Sequence, residues 1–293
     1  MIYGLLGLLS VVFATFSGVF FRDIYINREN LEEQTNFGLN VFFGLITDFF
    51  DTLGIGNFAP TTALFKAFGQ VRDRVLPGTL NVSHTTPVIL EAFLFLTVIE
   101  VEIVTLFMMI CSAVIGAVVG AGYVIRLREK TVQLVMGSAL IMTGFLMISG
   151  QMGWIENLGT GDAIGLSGVK LFLGVSVNFI LGALMTVGVG LYAPCMALVY
   201  LLGMSPIVAF PIMMGSCAFL MPPASIKFIK AGAYNRKASL GITIGGIFGV
   251  LIAVYLVKSL PLTILVWLVI VVVFVTAGTL INSGLKGSRT PRS

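Results

Sequence analysis

Two stretches of the chain carry the same glycine-broken pattern, GLITDFFDTLGIGNFAPTTALFKAFG at 44–69 and NFILGALMTVGVGLYAPCMALVYLLG at 178–203. At a constant offset of 134 positions, Gly54 meets Gly188, and the core GxGxxAP repeats in order without a gap. Because an ordered, ungapped core argues against chance, the pattern indicates an internal repeat.

The composition is that of a membrane protein. Apolar residues make up 57% of the chain and charged residues only 10%, whereas soluble domains carry about 25% charged residues. Six stretches carry no formal charge and are long enough to cross about 30 Å of hydrocarbon: 1–21, 103–125, 131–155, 171–226, 238–257 and 259–285. Backbone groups in hydrocarbon must bond internally, so these stretches are predicted to be helices.

The repeat organises the rest of the chain. Each broken element is followed by three apolar spans, at 75–99, 103–125 and 131–150 and again at 205–226, 238–257 and 261–282. The predicted divisions are an N-terminal transmembrane helix and polar linker (1–36), repeat 1 (37–150), an extracytoplasmic loop (151–168), repeat 2 (169–285) and a cytoplasmic tail (286–293). Met1–Phe21 lacks a basic start and a small-residue cleavage site, so we expect it to be a retained helix.

Charge in the loops predicts the topology. Basic residues cluster at 66–74, 126–130, 227–237 and 286–292, which the positive-inside rule places in the cytoplasm, and the acidic loops at Glu100–Glu102 and Glu156–Asp162 are placed outside. The stretch 171–226 is too short for the three crossings that this assignment would otherwise need. One crossing plus a broken hairpin fits, although short, strongly packed legs remain an alternative.

The predicted fold is therefore an all-α polytopic membrane protein with inverted repeats. Each repeat is a glycine-broken, re-entrant helix pair plus three transmembrane helices, and one extra helix precedes them. In secondary transporters of this design, the substrate site lies near the midplane where discontinuous helices meet.

The two breaks predict an anion site. A helix that restarts after a glycine break presents unpaired N–H groups and a partial positive charge, which favour an anion. The alternative is that the breaks are glycine kinks used only for packing. The predicted substrate-binding residues are Gly54, Gly56, Asn57, Pro60, Thr61, Thr62, His84, Gly188, Gly190, Tyr192, Pro194, Cys195 and Ser216.

Two carboxylates in the first arm are candidates for ion coupling. Asp48 and Asp51 stand at i and i+3 and share a helix face. Intramembrane carboxylates are costly and usually line a cavity or a relay, so one could bind a coupling proton or cation. The alternative is that both are hydrated near the cytoplasmic mouth.

His84 is the only histidine, within the polar run NVSHTTP. It could titrate or bond a substrate oxygen, or it could be a structural side chain capped by a neighbouring helix.

Several function classes find no support in the sequence. Catalysis lacks a nucleophile–base pair, and a nucleotide-driven mechanism lacks a Walker-type loop. Cys111, Cys195 and Cys217 lie in apolar spans without metal-ligand spacing. We therefore predict no enzyme activity, no cofactor, no metal site and no nucleic-acid partner.

The chain resembles the sulfite exporter TauE/SafE family, also called the TSUP permeases. The resemblance rests on the paired glycine breaks with a following proline, and on GAVVGAGYVIRLREKTVQLVMGSALI at 116–141 and FIKAGAYNRKASLGITIGGIFGVLIAVYLVKSLPLTILVWLVIVVV at 228–273. Asn57 and Leu191 stand where family members often carry a further glycine, and the spacer before the proline is compact.

The resemblance implies a plasma-membrane permease, in a bacterial or archaeal inner membrane, that exports sulfite, organosulfonates or other small anions on an ion gradient. The leading hypothesis is therefore a secondary transporter of a small anion, with a proton or cation as a possible coupling ion. The alternatives are a passive anion channel and a non-transporting membrane accessory protein.

Overall fold

The computed structural model describes residues 2–95, 101–154, 161–205, 208–256 and 262–286. These ranges form α-helices α1 (Ile2–Ile26), α2 (Phe37–Thr52), α3 (Phe58–Phe68), α4 (Leu76–Phe95), α5 (Ile103–Val124), α6 (Glu129–Gln151), α7 (Gly168–Met185), α8 (Tyr192–Leu201), α9 (Ala209–Lys230), α10 (Arg236–Leu256) and α11 (Leu262–Lys286). The only extended pairing within them is an isolated bridge between Ala163 and Met204. The all-α prediction is confirmed for the described residues.

Among the described helices, α1, α5, α6, α7, α9, α10 and α11 are long and apolar enough to cross a membrane, so the chain is a multi-pass membrane protein. Helix α4 is described only as far as Phe95 and is not in that set, and residues 96–99 of its predicted span are not described. Helix α7, the first leg of the second broken element, is 18 residues long and is in that set, although the sequence predicted this element to be a hairpin that does not span.

Some sequence predictions fall on residues that are not described. The described residues do not include Met1, Glu100, Glu156 or the tail after Lys286. They also leave out the ends of several predicted spans, at 96–99, 206–207, 257 and 261.

Helix packing repeats between the two halves. Helix α2 packs on α10, and α7, its counterpart, packs on α5. Helix α4 packs on α10, and its counterpart α9 packs on α5. The counterparts α4 and α9 also pack on each other, and so do the counterparts α6 and α11. Each broken element therefore lies against helices of the other half.

Glycines at four-residue spacing allow this close approach. Gly241, Gly245 and Gly249 in α10 face the backbone of α2, and a Cβ on Gly245 would collide with the Val41 carbonyl oxygen. Gly116 in α5 meets α7 in the same way. Helix association in lipid depends on such small-residue contacts, so these glycines fix α2 and α7 in place.

The ends of each broken element lie side by side. In the first element, the Gln70 side-chain oxygen accepts from the Asn36 amide at 2.7 Å, and the Thr35 hydroxyl donates to the Gln70 carbonyl at 3.0 Å. In the second, the Ser205 amide donates to the Ala163 carbonyl at 2.9 Å. Both elements are therefore helical hairpins with a break at the tip.

Helix α4 passes through a proline without ending. Pro87 has no N–H, so the Ser83 carbonyl one turn earlier loses its helical donor. The Thr243 hydroxyl of α10 donates to that carbonyl at 2.9 Å. A neighbouring helix thus supplies the missing bond and holds the part of α4 that carries His84 and Glu91.

Candidate functional site

Both breaks close with the same backbone turn. The Gly54 amide donates to the Asp51 carbonyl at 2.8 Å, and at the offset position the Gly188 amide donates to the Met185 carbonyl at 3.0 Å. The φ angles of Gly54 and Gly188 are 90° and 110°, in a region that side chains other than glycine rarely adopt. The glycine pairing seen in the sequence therefore reflects one repeated backbone conformation.

The helices that follow the breaks begin without a side-chain cap. Helix α3 begins at Phe58 and α8 at Tyr192, and the side chain of neither N-cap residue, Asn57 or Leu191, accepts a hydrogen bond from the first turn. Pro60 and Pro194 are the third residues of these helices rather than the restart points, and the first turn needs no helical donor there. The first-turn amides of both helices are left without an intrahelical partner.

A cavity of about 180 Å³ lies between the two breaks. Residues 54–58 line it from the first break and residues 190–192 from the second, with further walls from α6 and from Cys217 of α9. A Cβ built on Gly190 would meet no atom within 4 Å, so this glycine borders open space. The two helix N-termini therefore share one cavity.

Carboxylates sit at this cavity. Asp51 lines it, and Asp48 lies one turn behind. The Asn57 amide nitrogen donates to Asp48 at 2.9 Å and to Asp51 at 2.8 Å. Their relative exposures are 0% and 2%, so both carboxyls are shielded from bulk solvent.

His84 joins α4 to both legs of the first hairpin. Its Nδ1 lies 2.7 Å from Asp48 Oδ1, and its Nε2 lies 3.0 Å from the Thr61 hydroxyl of α3. The ring is fully buried and outside the cavity lining. Both ring nitrogens therefore have partners on neighbouring helices, as expected if His84 is a structural side chain.

Glu91 is a candidate site residue that the sequence reasoning missed, and it lies outside the cavity lining. This fully buried carboxylate accepts from the Thr52 hydroxyl at 2.7 Å and from the Tyr192 hydroxyl at 3.2 Å. It therefore ties the tip of the first hairpin to the tip of the second. An available signal was its position inside an apolar span, because intramembrane carboxylates are functional candidates by default.

The predicted site residues fall into two groups. Those that line the cavity are Asp51, Gly54, Gly56, Asn57, Gly190 and Tyr192. Those outside the lining are Asp48, Pro60, Thr61, Thr62, His84, Gly188, Pro194, Cys195 and Ser216.

Hydrogen bonding and packing explain part of the second group. The Thr62 hydroxyl donates to its own helix at the Phe58 carbonyl, 2.8 Å away. Ser216 accepts from Asn178 at 3.1 Å, and Gly188 packs against Met136. These residues hold the framework around the cavity.

Across the part of the chain that the structure describes, no group of three or more His, Cys, Asp or Glu side chains is placed to hold a metal ion. Comparisons with protein families, curated proteins and solved structures found no match to the chain.

Proposed function

We propose that the chain is a secondary transporter of a small anion, which binds in the cavity between the N-termini of α3 and α8. The observation that carries the proposal is the meeting of two uncapped helix N-termini at one cavity. Their free amides and aligned peptide dipoles favour negative charge. The geometry resembles the midplane sites of transporters built from broken helices.

The cavity volume limits the solute. At about 30 Å³ per water, 180 Å³ holds about six waters, which is room for an anion of a few heavy atoms. Sulfite and small organosulfonates, which the TauE/SafE resemblance implies, are of this size. Most of the lining is apolar, apart from groups such as Asp51, Asn57 and Tyr192.

Contacts at the open ends of the hairpins support an inverted arrangement of the repeats. The first hairpin ends beside the start of α6, where Gln133 donates to Asp73 at 2.7 Å. The second begins beside the start of α5, where the Glu102 amide donates to the Ile164 carbonyl at 2.9 Å. Two membrane-spanning helices joined by residues 125–128 alone must run antiparallel, so their starts lie at opposite faces. Re-entrant entry of the two hairpins from opposite faces is therefore part of the proposal.

The two sides of the cavity favour a carrier over a passive channel. On one side the lining reaches Gly150 and Gln151 at the end of α6, and both are exposed. On the other side Asp48, His84 and Thr61 are fully buried and joined by hydrogen bonds. This asymmetry supports a carrier, in which an anion has access from one side at a time, over an open channel.

A cavity-filling variant tests the proposal. Leucine at Gly190 (Gly190→Leu) would project into open space without a positive φ angle to strain it. We expect this variant to abolish uptake of radiolabelled sulfite and methanesulfonate by proteoliposomes. The matched control is Gly278→Leu, at an exposed α11 position that also has open space around its Cα, and it should transport normally. Failure of the wild-type protein to move any small anion, with or without an ion gradient, would refute the proposal.

A further inference from the structure

We propose that Asp51 and Glu91 bind the protons that accompany the anion, so that the transporter is a proton–anion symporter. This inference rests on the proposed function, and it names the coupling ion and the groups that carry it. Two observations support it, namely the charges around the cavity and the hydrogen bonds of Glu91.

The buried charges near the cavity are unbalanced. The fully or nearly fully buried carboxyl and basic side chains among the described residues are Asp48, Asp51, Asp73, His84 and Glu91. Asp73 is paired with Lys66 at 2.7 Å, and Asp48 lies 2.7 Å from His84, which balances its charge when the imidazole is protonated. Asp51 and Glu91 form no ion pair in the part of the chain that the structure describes.

The groups that face these two carboxyls come from several helices. Helix α2 contributes Asp48 and Thr52, α4 contributes His84, α8 contributes Tyr192, and α9 contributes Cys217. The residue before α3, Asn57, donates to Asp51. Helix α10 lies against Asp48 through Gly246. The single basic side chain in this set, His84, is already paired with Asp48.

An anion and two ionised carboxylates do not fit together in this setting. Buried charges are tolerated in a membrane only when they are neutralised, and like charges at close range repel strongly where water is excluded. Protonation removes the charge on Asp51 and turns its carboxyl into a hydrogen-bond donor for the anion. Anion binding and proton binding therefore favour each other, and by linkage the effect is reciprocal.

A proton is favoured as the coupling ion over a metal ion that a cluster of acidic, histidine or cysteine side chains would bind, and Na⁺ held by backbone carbonyls is addressed by the sodium arm of the test below. A metal site needs several ligands that converge, and no group of three or more His, Cys, Asp or Glu side chains does so within the described ranges. A proton needs only one carboxylate oxygen. Glu91 accepts a hydroxyl and Asp51 accepts an amide. Each carboxylate can still bind one proton on an oxygen.

Glu91 also connects proton binding to movement. As a carboxylate it accepts hydroxyls from both hairpin tips, at 2.7 Å from Thr52 and 3.2 Å from Tyr192. A proton on one of its oxygens makes that oxygen a donor, and the hydroxyl beside it can then accept. The Thr52 hydroxyl can donate instead to the Asp48 carbonyl, which lies 2.8 Å away. Loading the site with protons therefore rearranges the hydrogen bonds that join the two hairpins. Symport of this kind would drive the anion inward wherever the outside is more acidic.

The test uses the full-length protein and methanesulfonate, whose charge is constant across the pH range. Its affinity is measured by calorimetry in detergent between about pH 5 and about pH 10. Above the pKa of the carboxyls in the anion-free protein, we expect about a tenfold loss for each unit of pH increase per co-bound proton. In proteoliposomes, wild-type uptake should be driven by an inward proton gradient and should acidify the lumen. Asp51→Asn and Glu91→Gln should each flatten the pH dependence of the affinity, whereas Asp162→Asn, at an exposed carboxyl outside the cavity lining, should not.

The outcomes separate the two proposals. If methanesulfonate and sulfite fail to bind at every pH, the proposed function is wrong and the symport inference fails with it. If an anion binds and is transported with an affinity that does not change with pH and without lumenal acidification, only the symport inference is wrong. Uptake that depends on sodium at fixed pH, without proton movement, would also overturn it. The wild-type measurements decide these outcomes even if a variant does not fold.

Discussion

The Asn57 amide supports the tip of the first hairpin by donating to two buried carboxyls, at 2.9 Å to Asp48 and 2.8 Å to Asp51. The informative change is Asn57→Leu, which removes both bonds at similar volume. Each hydrogen bond to an ionised group contributes about 1.5–3 kcal/mol, against about 0.5–1.5 kcal/mol for a neutral pair. We therefore expect a loss of about 3–6 kcal/mol when both carboxyls are ionised, and about 2–4.5 kcal/mol when only Asp48, which lies against His84, is ionised.

The chain offers a matched control in Asn178. This side chain is also fully buried and also donates two bonds, at 2.8 Å to the Met109 carbonyl and 3.1 Å to the Ser216 hydroxyl. Both acceptors are neutral at every accessible pH, so Asn178→Leu should cost about 1–3 kcal/mol throughout.

The assay is thermal unfolding of the purified protein in detergent at about pH 5 and about pH 8. With about 2 °C of melting-temperature change per kcal/mol in a chain of this size, Asn57→Leu should melt several degrees below Asn178→Leu at the higher pH. The difference should narrow, without closing, at the lower pH as Asp51 takes up a proton and Asp48 keeps His84 as its partner. A pH-independent difference between the variants, or none at about pH 8, would refute the argument that Asn57 supports ionisable carboxylates.

Three further changes test the framework. Gly245→Leu should destabilise the fold strongly, because its side chain meets the α2 backbone, whereas Gly278→Leu should leave the melting temperature nearly unchanged. Thr243→Val should cost about 1–3 kcal/mol in the same melting assay, since it leaves the Ser83 carbonyl without its donor. Burial, and then the carboxylate that accepts its hydroxyl, raises the pKa of Tyr234, which lies in the loop between α9 and α10. Its contribution to stability is therefore complete below the unfolded value of about 10 and is lost as pH rises above it, so wild type should lose more stability than Tyr234→Phe between about pH 9 and about pH 11.

Much of the architecture followed from the sequence alone. Long uncharged stretches had to be helices because hydrocarbon offers no partner for free backbone groups. The offset between Gly54 and Gly188 located two breaks that share one backbone turn. The GxGxxAP pattern thus identified the elements that meet at the cavity.

Tertiary structure alone decided which polar side chains face that cavity. Thr62 was predicted to be a substrate donor, but its hydroxyl returns to its own helix, a choice that depends on the rotamer and on what packs beside it. His84 is bonded to Asp48 and Thr61 because α4 contacts both legs of the first hairpin. Glu91 gained its importance only when folding brought Thr52 and Tyr192, far apart in the chain, to the same carboxylate. Helical periodicity and span length act along the chain and can be read from it, whereas the partners of a buried polar group are set by helix packing across the molecule.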